Sequence, residues 1–219
     1  DDGERQFVFH AGHAAAGQLS VADVKADELA KARALHITGS ALAVSASSRD
    51  ACYKAVELAR QQPNCLISFD PNLRVEMLGL DNLRRAVAPV MTACNLILPS
   101  RVEAEMLTGE IAPLAAARAL LEQGPRIVAV KLGVAGSLVA TQEGVWEVPS
   151  FPVQEVDPTG AGDCYAAGFV VGLLRGWPLS KVARFANAVG ALSVTQRGPM
   201  QGAPTLAQVE SFLAAHPQP

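Results

Sequence analysis

Short apolar runs alternate along this chain with longer segments in which apolar residues recur every three to four positions. The runs predict buried strands, and the recurring pattern predicts helices that each have one apolar face. The predicted strands are 5–9, 34–38, 65–69, 95–98 and 126–132. The predicted helices are 21–32, 47–62, 81–93, 113–123, 179–196 and 205–215. One more helix is predicted to run from the glycine-rich segment 157–169 to residue 175.

This order of strand, helix, strand, helix is typical of right-handed βαβ units. We predict an α/β fold of three layers, in which helices flank both faces of a mostly parallel twisted sheet. Segments 137–141 and 144–149 predict an added antiparallel pair. We find no linker or repeat, so one domain is expected over 1–219. Ligands of such sheets bind at the carboxyl ends of the strands, where several polar segments of this sequence fall.

Composition excludes several classes of protein. The chain has 219 residues, half of them hydrophobic, with a formal net charge of −3. No basic, aromatic-rich stretch predicts nucleic-acid binding, and no apolar run reaches membrane-spanning length. The four cysteines are scattered, which indicates buried thiols in a reducing compartment. His10 and His13 are close together but lack a third metal ligand nearby in the sequence. We therefore expect a cytoplasmic protein.

The segment DPTGAGDCYAAGF, residues 157–169, carries the strongest chemical signal. Gly160, Ala161 and Gly162 stand where a helix begins, so small side chains let an anion approach free backbone N–H groups. Asp163 follows in the first turn, where it could accept a proton from a hydroxyl next to a bound phosphate. Two simpler interpretations remain open: glycines that only allow close helix–strand packing, and an aspartate that only complements the helix dipole.

The same segment resembles the carboxyl-terminal signature of the ribokinase-like (PfkB) family of carbohydrate kinases. Other stretches resemble the family in the same order along the chain, so the resemblance covers nearly all of it. They are PSRVEAEMLTG at 99–109, VKLGVAGSLV at 130–139, FANAVGALSVTQRGP at 185–199 and GAPT at 202–205. The resemblance implies ATP- and Mg²⁺-dependent transfer of the γ-phosphoryl group to a sugar hydroxyl.

Carried over by position, the resemblance gives roles to the glycine-rich segment and to one glutamate. Asp163 becomes the catalytic base in contact with the substrate, and the N–H groups of Gly160, Ala161 and Gly162 become the anion hole. Glu103 becomes a residue that organises Mg²⁺ through water. The alternative for Glu103 is a purely structural role, as the partner of Ser100 in a helix capping box.

Further positions match the family's nucleotide and cation sites. Lys131, Gly133, Gly136 and Asn187 are expected along the nucleotide. The alternatives are that Lys131 is only a solvated strand end and that Asn187 is only a polar residue on a helix with its hydrogen bonds satisfied. A second pair, Asp157 and Thr159, matches positions that hold a monovalent cation such as K⁺ in some relatives.

The segment SFDPNLR at 68–74 gives the clearest indication of the acceptor. The guanidinium of Arg74 can hold a carboxylate or a phosphate through two hydrogen bonds. Together with 35–49, this segment is most similar to the 2-keto-3-deoxygluconate kinase branch, and fructokinase-like branches have similar stretches. Asn72 and Arg74 are also expected at the nucleotide, and His10 at the acceptor. A surface salt bridge is the alternative for Arg74.

The amino end is expected to be shorter than in the family. Residues 1–16 resemble a remnant of the β lid that covers the sugar site, and the usual strands before it are absent from the sequence. A homodimer through the lid is implied for a full chain.

Two other functions fit this sequence less well. A nicotinamide-dependent oxidoreductase should carry its glycine-rich turn in the first βαβ unit, whereas here the turn comes late. A non-catalytic nucleotide-binding module would not need Asp163.

Overall fold

The computed structural model describes residues 14–217. The predicted strand at 5–9, His10, His13 and most of the predicted lid remnant lie outside these residues. Contacts divide the chain after Ala93 into two compact units, which are described separately. The single domain expected from the sequence stays a prediction.

Residues 14–93 of the first unit form two strands, six helices and one 3₁₀ turn. The strands are β1 (Ala34–Thr38) and β2 (Leu66–Asp70). The helices are α1 (Ala15–Gln18), α2 (Ala26–Leu29), α3 (Gly39–Val44), α4 (Ala46–Arg60), α5 (Val75–Leu78) and α6 (Leu80–Ala93), and the 3₁₀ turn is Val21–Asp23.

Strands β1 and β2 pair in parallel, with Ala34 opposite Leu66 and Thr38 opposite Asp70. Helices α4 and α6 bury the apolar faces that their sequence periodicity predicts. Each pairing and each buried face removes apolar surface from water, which is the main source of stability for such a layer.

The prediction of one continuous helix over 21–32 is wrong. A capping box between Ser20 and Asp23 starts a 3₁₀ turn, but Val24 and Lys25 are extended, and only α2 follows. The 3₁₀ turn and α2 contact α4, but no residue of 21–32 is buried, so tertiary packing gives little support to a longer helix there.

The sequence analysis did not predict α3, which begins at Gly39 directly after β1. A Cβ at Gly39 would lie 1.7 Å from the carbonyl oxygen of Pro71. This glycine therefore lets a helix start directly against the turn that follows β2.

The described part of the second unit, residues 94–217, forms four strands, five helices and one 3₁₀ turn. The strands are β3 (Leu96–Ile97), β4 (Ile127–Lys131), β5 (Ser137–Ala140) and β6 (Val145–Val148). The helices are α7 (Arg101–Thr108), α8 (Pro113–Leu121), α9 (Ala161–Leu174), α10 (Leu179–Ser193) and α11 (Leu206–Ala215), and the 3₁₀ turn is Gly133–Ala135.

In this unit β3 and β4 are parallel, whereas β4, β5 and β6 form an antiparallel meander. The sequence predicts the antiparallel pair of β5 and β6 within it. Helices α9 and α10 pack closely because α9 carries glycines one turn apart. A Cβ at Gly168 would lie 3.0 Å from Val189, and one at Gly172 would lie 3.1 Å from Val182. The glycines thus allow α9 and α10 to approach each other closely.

Across 14–217, no helix combines the length and the apolar character that crossing a bilayer requires.

Candidate active site

A cavity of about 560 Å³ opens at the amino end of α9, within the second unit. This volume suits a small-molecule ligand of nucleotide size. Residues that the sequence assigned to the nucleotide or to the anion hole line it together. They are Lys131, Gly133, Gly136, Ala161, Gly162 and Asn187.

The start of α9 depends on a glycine. Gly160 is the N-cap, with a left-handed φ of 82°. A Cβ at this position would lie 2.5 Å from the carbonyl oxygen of Pro199. Both the backbone angle and this close approach exclude a side chain, so the sequence folds here into a tight turn that exposes the first helical turn.

Two N–H groups of that turn are available to a ligand. The N–H of Ala161 donates to the carbonyl oxygen of Pro158 at 3.2 Å, and that of Cys164 donates to Gly160 at 2.9 Å. The N–H groups of Gly162 and Asp163 have no acceptor four residues back inside the helix. They add to the positive end of the helix dipole, which favours an anion.

Lys131 brings a full positive charge to the same place. It is the last residue of β4, and its backbone N–H donates to Pro99 at 2.8 Å. Its Nζ lies 3.5 Å from the point that a Cβ on Gly162 would occupy. An ammonium group and a helix amino terminus both attract an anion, so their proximity makes this a positive part of the cavity lining. A contact of Lys131 with the nucleotide stays a prediction.

Asp163 is exposed in the first turn of α9. Within 14–217 its carboxylate forms neither a hydrogen bond nor an ion pair with another side chain. Such a carboxylate beside an anion site is free to accept a proton from a ligand hydroxyl. The neighbouring Cys164 is a poor nucleophile, because burial raises the pKa of its thiol.

The 3₁₀ turn Gly133–Ala135 forms another side of the cavity. Gly133 has a φ of 61° and Gly136 a φ of 103°. A Cβ at Gly136 would lie 2.1 Å from the carbonyl oxygen of Val148, so this turn needs its second glycine to pack against the end of β6. The turn carries Val134 at the cavity, with 93% of its surface exposed.

Asn187 is buried on α10 and its amide is already engaged. Its Nδ2 donates to the carbonyl oxygens of Val148 at 2.8 Å and Pro149 at 3.1 Å. These bonds support the alternative of a satisfied polar residue, and they also fix the segment after β6 that lines the cavity. A direct contact of Asn187 with the nucleotide stays a prediction.

Glu103 and Ser100 form the capping box that the sequence predicts at the start of α7. Ser100 N–H donates to Glu103 Oε2 at 2.7 Å, and Glu103 N–H donates to Ser100 Oγ at 3.3 Å. Ser100 also pairs with Lys131 as an isolated parallel bridge, so this helix start is adjacent to the end of β4. The structural role is thus present, and a role towards Mg²⁺ stays a prediction.

No group of three or more metal-binding side chains assembles in the described part of the chain. Mg²⁺ usually binds through one or two carboxylates together with substrate phosphates and water. Carboxylates of the second unit have the chemistry to help hold a metal ion that arrives with phosphates.

Asp157 ties two loops together. Its Oδ1 accepts a hydrogen bond from Thr159 N–H and its Oδ2 accepts one from Gly198 N–H, both at 2.9 Å. These bonds hold the segment before α9 beside the segment after α10. A monovalent cation at Asp157 and Thr159 stays a prediction.

Asn72 and Arg74 belong to the first unit, in the turn after β2. Asn72 has a φ of 34°, and its N–H donates to Oδ1 of the buried Asp70 at 3.2 Å. Arg74 is half-buried at the N-cap of α5. Their roles towards nucleotide and acceptor stay predictions.

Sequence reasoning missed the other residues of the cavity, among them its two aromatic side chains, Tyr165 and Phe151. Tyr165 lines it from α9, and its hydroxyl and that of Ser137 are buried with no hydrogen-bond partner among residues 14–217. Burial raises the pKa of Tyr165. Its position one turn after Ala161 on an apolar helix was a usable signal. Phe151 lines the cavity from the segment after β6, for which the sequence offers no periodic pattern.

Comparison with known sequences agrees with this geometry. Residues 1–206 match the pfkB family carbohydrate kinase profile. A 2-dehydro-3-deoxygluconokinase of Bacillus subtilis (strain 168) is 33% identical over 98% of this chain and 66% of its own length. A 5-dehydro-2-deoxygluconokinase of Clostridium perfringens is 31% identical over 90% of this chain and 59% of its own. The chain thus spans two thirds or less of these relatives.

Comparison with solved structures confirms the predicted three-layer α/β class. An E. coli protein described as a candidate Ribokinase II, solved with ATP and Mg²⁺, superimposes with a TM-score of 0.90. It is 38% identical, and the match covers 98% of this chain and 69% of that one. Profile, relatives and fold agree over most of the chain, and the resemblance predicted from its motifs is confirmed: the chain belongs to the pfkB family of carbohydrate kinases.

Proposed function

We propose that the protein transfers the γ-phosphoryl group of ATP to a hydroxyl of a small sugar acid of the 2-keto-3-deoxygluconate class. The observation that carries this proposal is the start of α9, where the Lys131 ammonium, the N–H groups of Gly162 and Asp163, and the exposed Asp163 carboxylate occur together. A phosphate cradle and a base in one helical turn are the parts that phosphoryl transfer requires.

In this mechanism the acceptor hydroxyl lies between Asp163 and the terminal phosphate. The Asp163 carboxylate takes the hydroxyl proton while the hydroxyl oxygen forms a bond to the γ-phosphorus. The bond from that phosphorus to its bridging oxygen breaks, and ADP leaves. Lys131 and the amino end of α9 stabilise negative charge on the moving phosphoryl group. Bound with the nucleotide, Mg²⁺ supplies further charge neutralisation, and Glu103 is the acidic side chain proposed to orient its water.

The nature of the acceptor rests on Arg74 and on the relatives. Both relatives reported above are named deoxygluconokinases, which supports a carboxylate-bearing acceptor. The guanidinium of Arg74 is the side chain proposed to bind that carboxylate. A fructokinase activity is the second candidate, because the segment around Arg74 also resembles that branch.

An ADP-release assay of the full-length protein with sugars and sugar acids tests the proposal. We expect turnover with 2-keto-3-deoxygluconate and little with fructose. Arg74→Gln should raise KM for the acid more than for any neutral sugar that reacts. Turnover with fructose alone would replace the sugar acid with the second candidate. No turnover with any acceptor, despite ADP binding, would favour a non-catalytic nucleotide-binding module.

A further inference from the structure

The cavity lining combines polar and apolar groups. Lys131 and Gly162 line it at the start of α9, where phosphates are proposed to bind. Other lining residues come from the segment after β6 and from the carboxyl-terminal end of α10. Five of them form an apolar wall beside Ser150 and Glu155: Phe151, Pro152, Val153, Ala191 and Val194. An apolar wall with an aromatic ring suits the flat face of a nucleotide base.

Phe151 of this wall packs against aromatic rings at the carboxyl-terminal end of α11. Its ring meets Phe212 edge-on, with centroids 5.1 Å apart and planes at 67°. It also meets the ring of His216, at 5.9 Å and 81°. Both angles are typical of favourable edge-to-face contacts.

Arg184 of α10 completes the arrangement around Phe151. Its guanidinium carbon lies 5.4 Å from the centroid of the Phe151 ring, and its Nη2 donates to the carbonyl oxygen of His216. His216 Nδ1 in turn lies 2.8 Å from the carbonyl oxygen of Phe212. Phe151 is therefore fixed by a connected set of contacts, and three of the four residues involved lie outside the cavity lining.

We propose that Phe212 and His216 are positioning residues for the nucleotide base: they hold Phe151 as its apolar wall. This inference rests on the proposed kinase function. It implies that α11, which does not line the cavity, influences how well the base binds. Proton transfer at Asp163 should not depend on α11.

Two variants remove the support and leave the cavity lining intact. Phe212→Leu keeps apolar volume but removes an aromatic ring. His216→Ala removes the ring whose centroid lies farther from that of Phe151. Trp177→Leu is the matched control, because Trp177 also contributes an aromatic ring to the same core cluster but packs on Phe185 at 5.2 Å. Any loss of stability common to all three variants is thereby separated from an effect on the base.

The readouts are ADP affinity by calorimetry and kinetics with ATP and ITP, which share a triphosphate and differ in the base. We expect Phe212→Leu to raise KM for ATP and Kd for ADP about three- to tenfold, the scale of a lost aromatic contact. His216→Ala should show a smaller rise. In both variants kcat should stay within about twofold, and the preference for ATP over ITP should shrink.

The control should change unfolding temperature without changing KM or the ATP-to-ITP ratio. Equal nucleotide affinity in wild type and Phe212→Leu would overturn the inference, and so would a fall in kcat with KM and base preference unchanged. A wild-type protein that binds ADP but phosphorylates no acceptor contradicts the proposed kinase function and leaves the calorimetric test of Phe212 in force.

Discussion

Two helices of the second unit begin with an acid at the same position, and they use it differently. In α7 the N-cap is Ser100 and the third helical residue is Glu103; in α9 the N-cap is Gly160 and the third residue is Asp163. Glu103 and Ser100 satisfy each other's N–H groups in a closed capping box. Gly160 has no side chain to close a box, so the first turn of α9 and Asp163 stay open to a ligand. A single residue type at the N-cap thus separates a helix start used for stability from one available for chemistry.

The largest expected effect is at Asp163. Asp163→Asn removes the proposed base while keeping the side-chain size, so kcat should fall by about 10²–10⁴-fold. Nucleotide affinity and unfolding temperature should change little, because Asp163 is exposed. Steady-state kinetics and ADP titration check this. Unchanged kcat would mean that Asp163 is not the base. The start of α9 would then not be distinguished from that of α7 by its chemistry.

The two glycines that flank Ala161 should respond in opposite ways to alanine. Gly160→Ala should destabilise the protein by about 1–3 kcal/mol, since a positive φ is strained for alanine and the Cβ meets Pro199. Gly162→Ala should stabilise α9 by about 0.5–1 kcal/mol, since its Cβ meets only the flexible end of Lys131. That methyl group fills the cradle, however, so ADP affinity should fall. Urea unfolding and calorimetry distinguish the two; tighter or equal ADP binding by Gly162→Ala would contradict the cradle.

Glu103→Gln separates a metal role from a capping role. Glutamine keeps the hydrogen bond to Ser100 N–H, so stability should fall by only about 0.5 kcal/mol from the lost charge at the helix amino terminus. If the carboxylate orients Mg²⁺ through water, the Mg²⁺ concentration for half-maximal rate should rise about tenfold. The measurement is turnover against Mg²⁺ at saturating ATP. An unchanged Mg²⁺ dependence would leave Glu103 with its structural role alone.

Ser100→Ala should have the smallest effect on activity. It opens the capping box and should lower the free energy of unfolding by about 1 kcal/mol. Because the hydroxyl of Ser100 caps the start of α7, while its pairing with Lys131 is made by the backbone, kcat and KM for ATP should stay within about twofold. Chemical denaturation and kinetics of the same preparation test this. A loss of turnover as large as that of Asp163→Asn would mean that α7 takes part in the chemistry.

The success of sequence reasoning at these helix starts has a local cause. A capping box and a glycine-rich turn depend on residues within three or four positions, so Ser100, Glu103, Gly160 and Asp163 could be predicted from their spacing. The helix expected over 21–32 shows the reverse case. Its start signal at Ser20 was genuine, but helix length depends on packing, and none of these residues is buried.

The sequence alone therefore determined the α/β class, the family and the segments that form the candidate site, because hydrophobic periodicity and short motifs encode them locally. Only the tertiary structure showed that Lys131 reaches the start of α9, that the amide of Asn187 is engaged with the end of β6, and that α11 supports Phe151. These contacts join residues 30 or more positions apart in the chain. Which atoms meet across such separations depends on how strands and helices pack, and no local pattern specifies that.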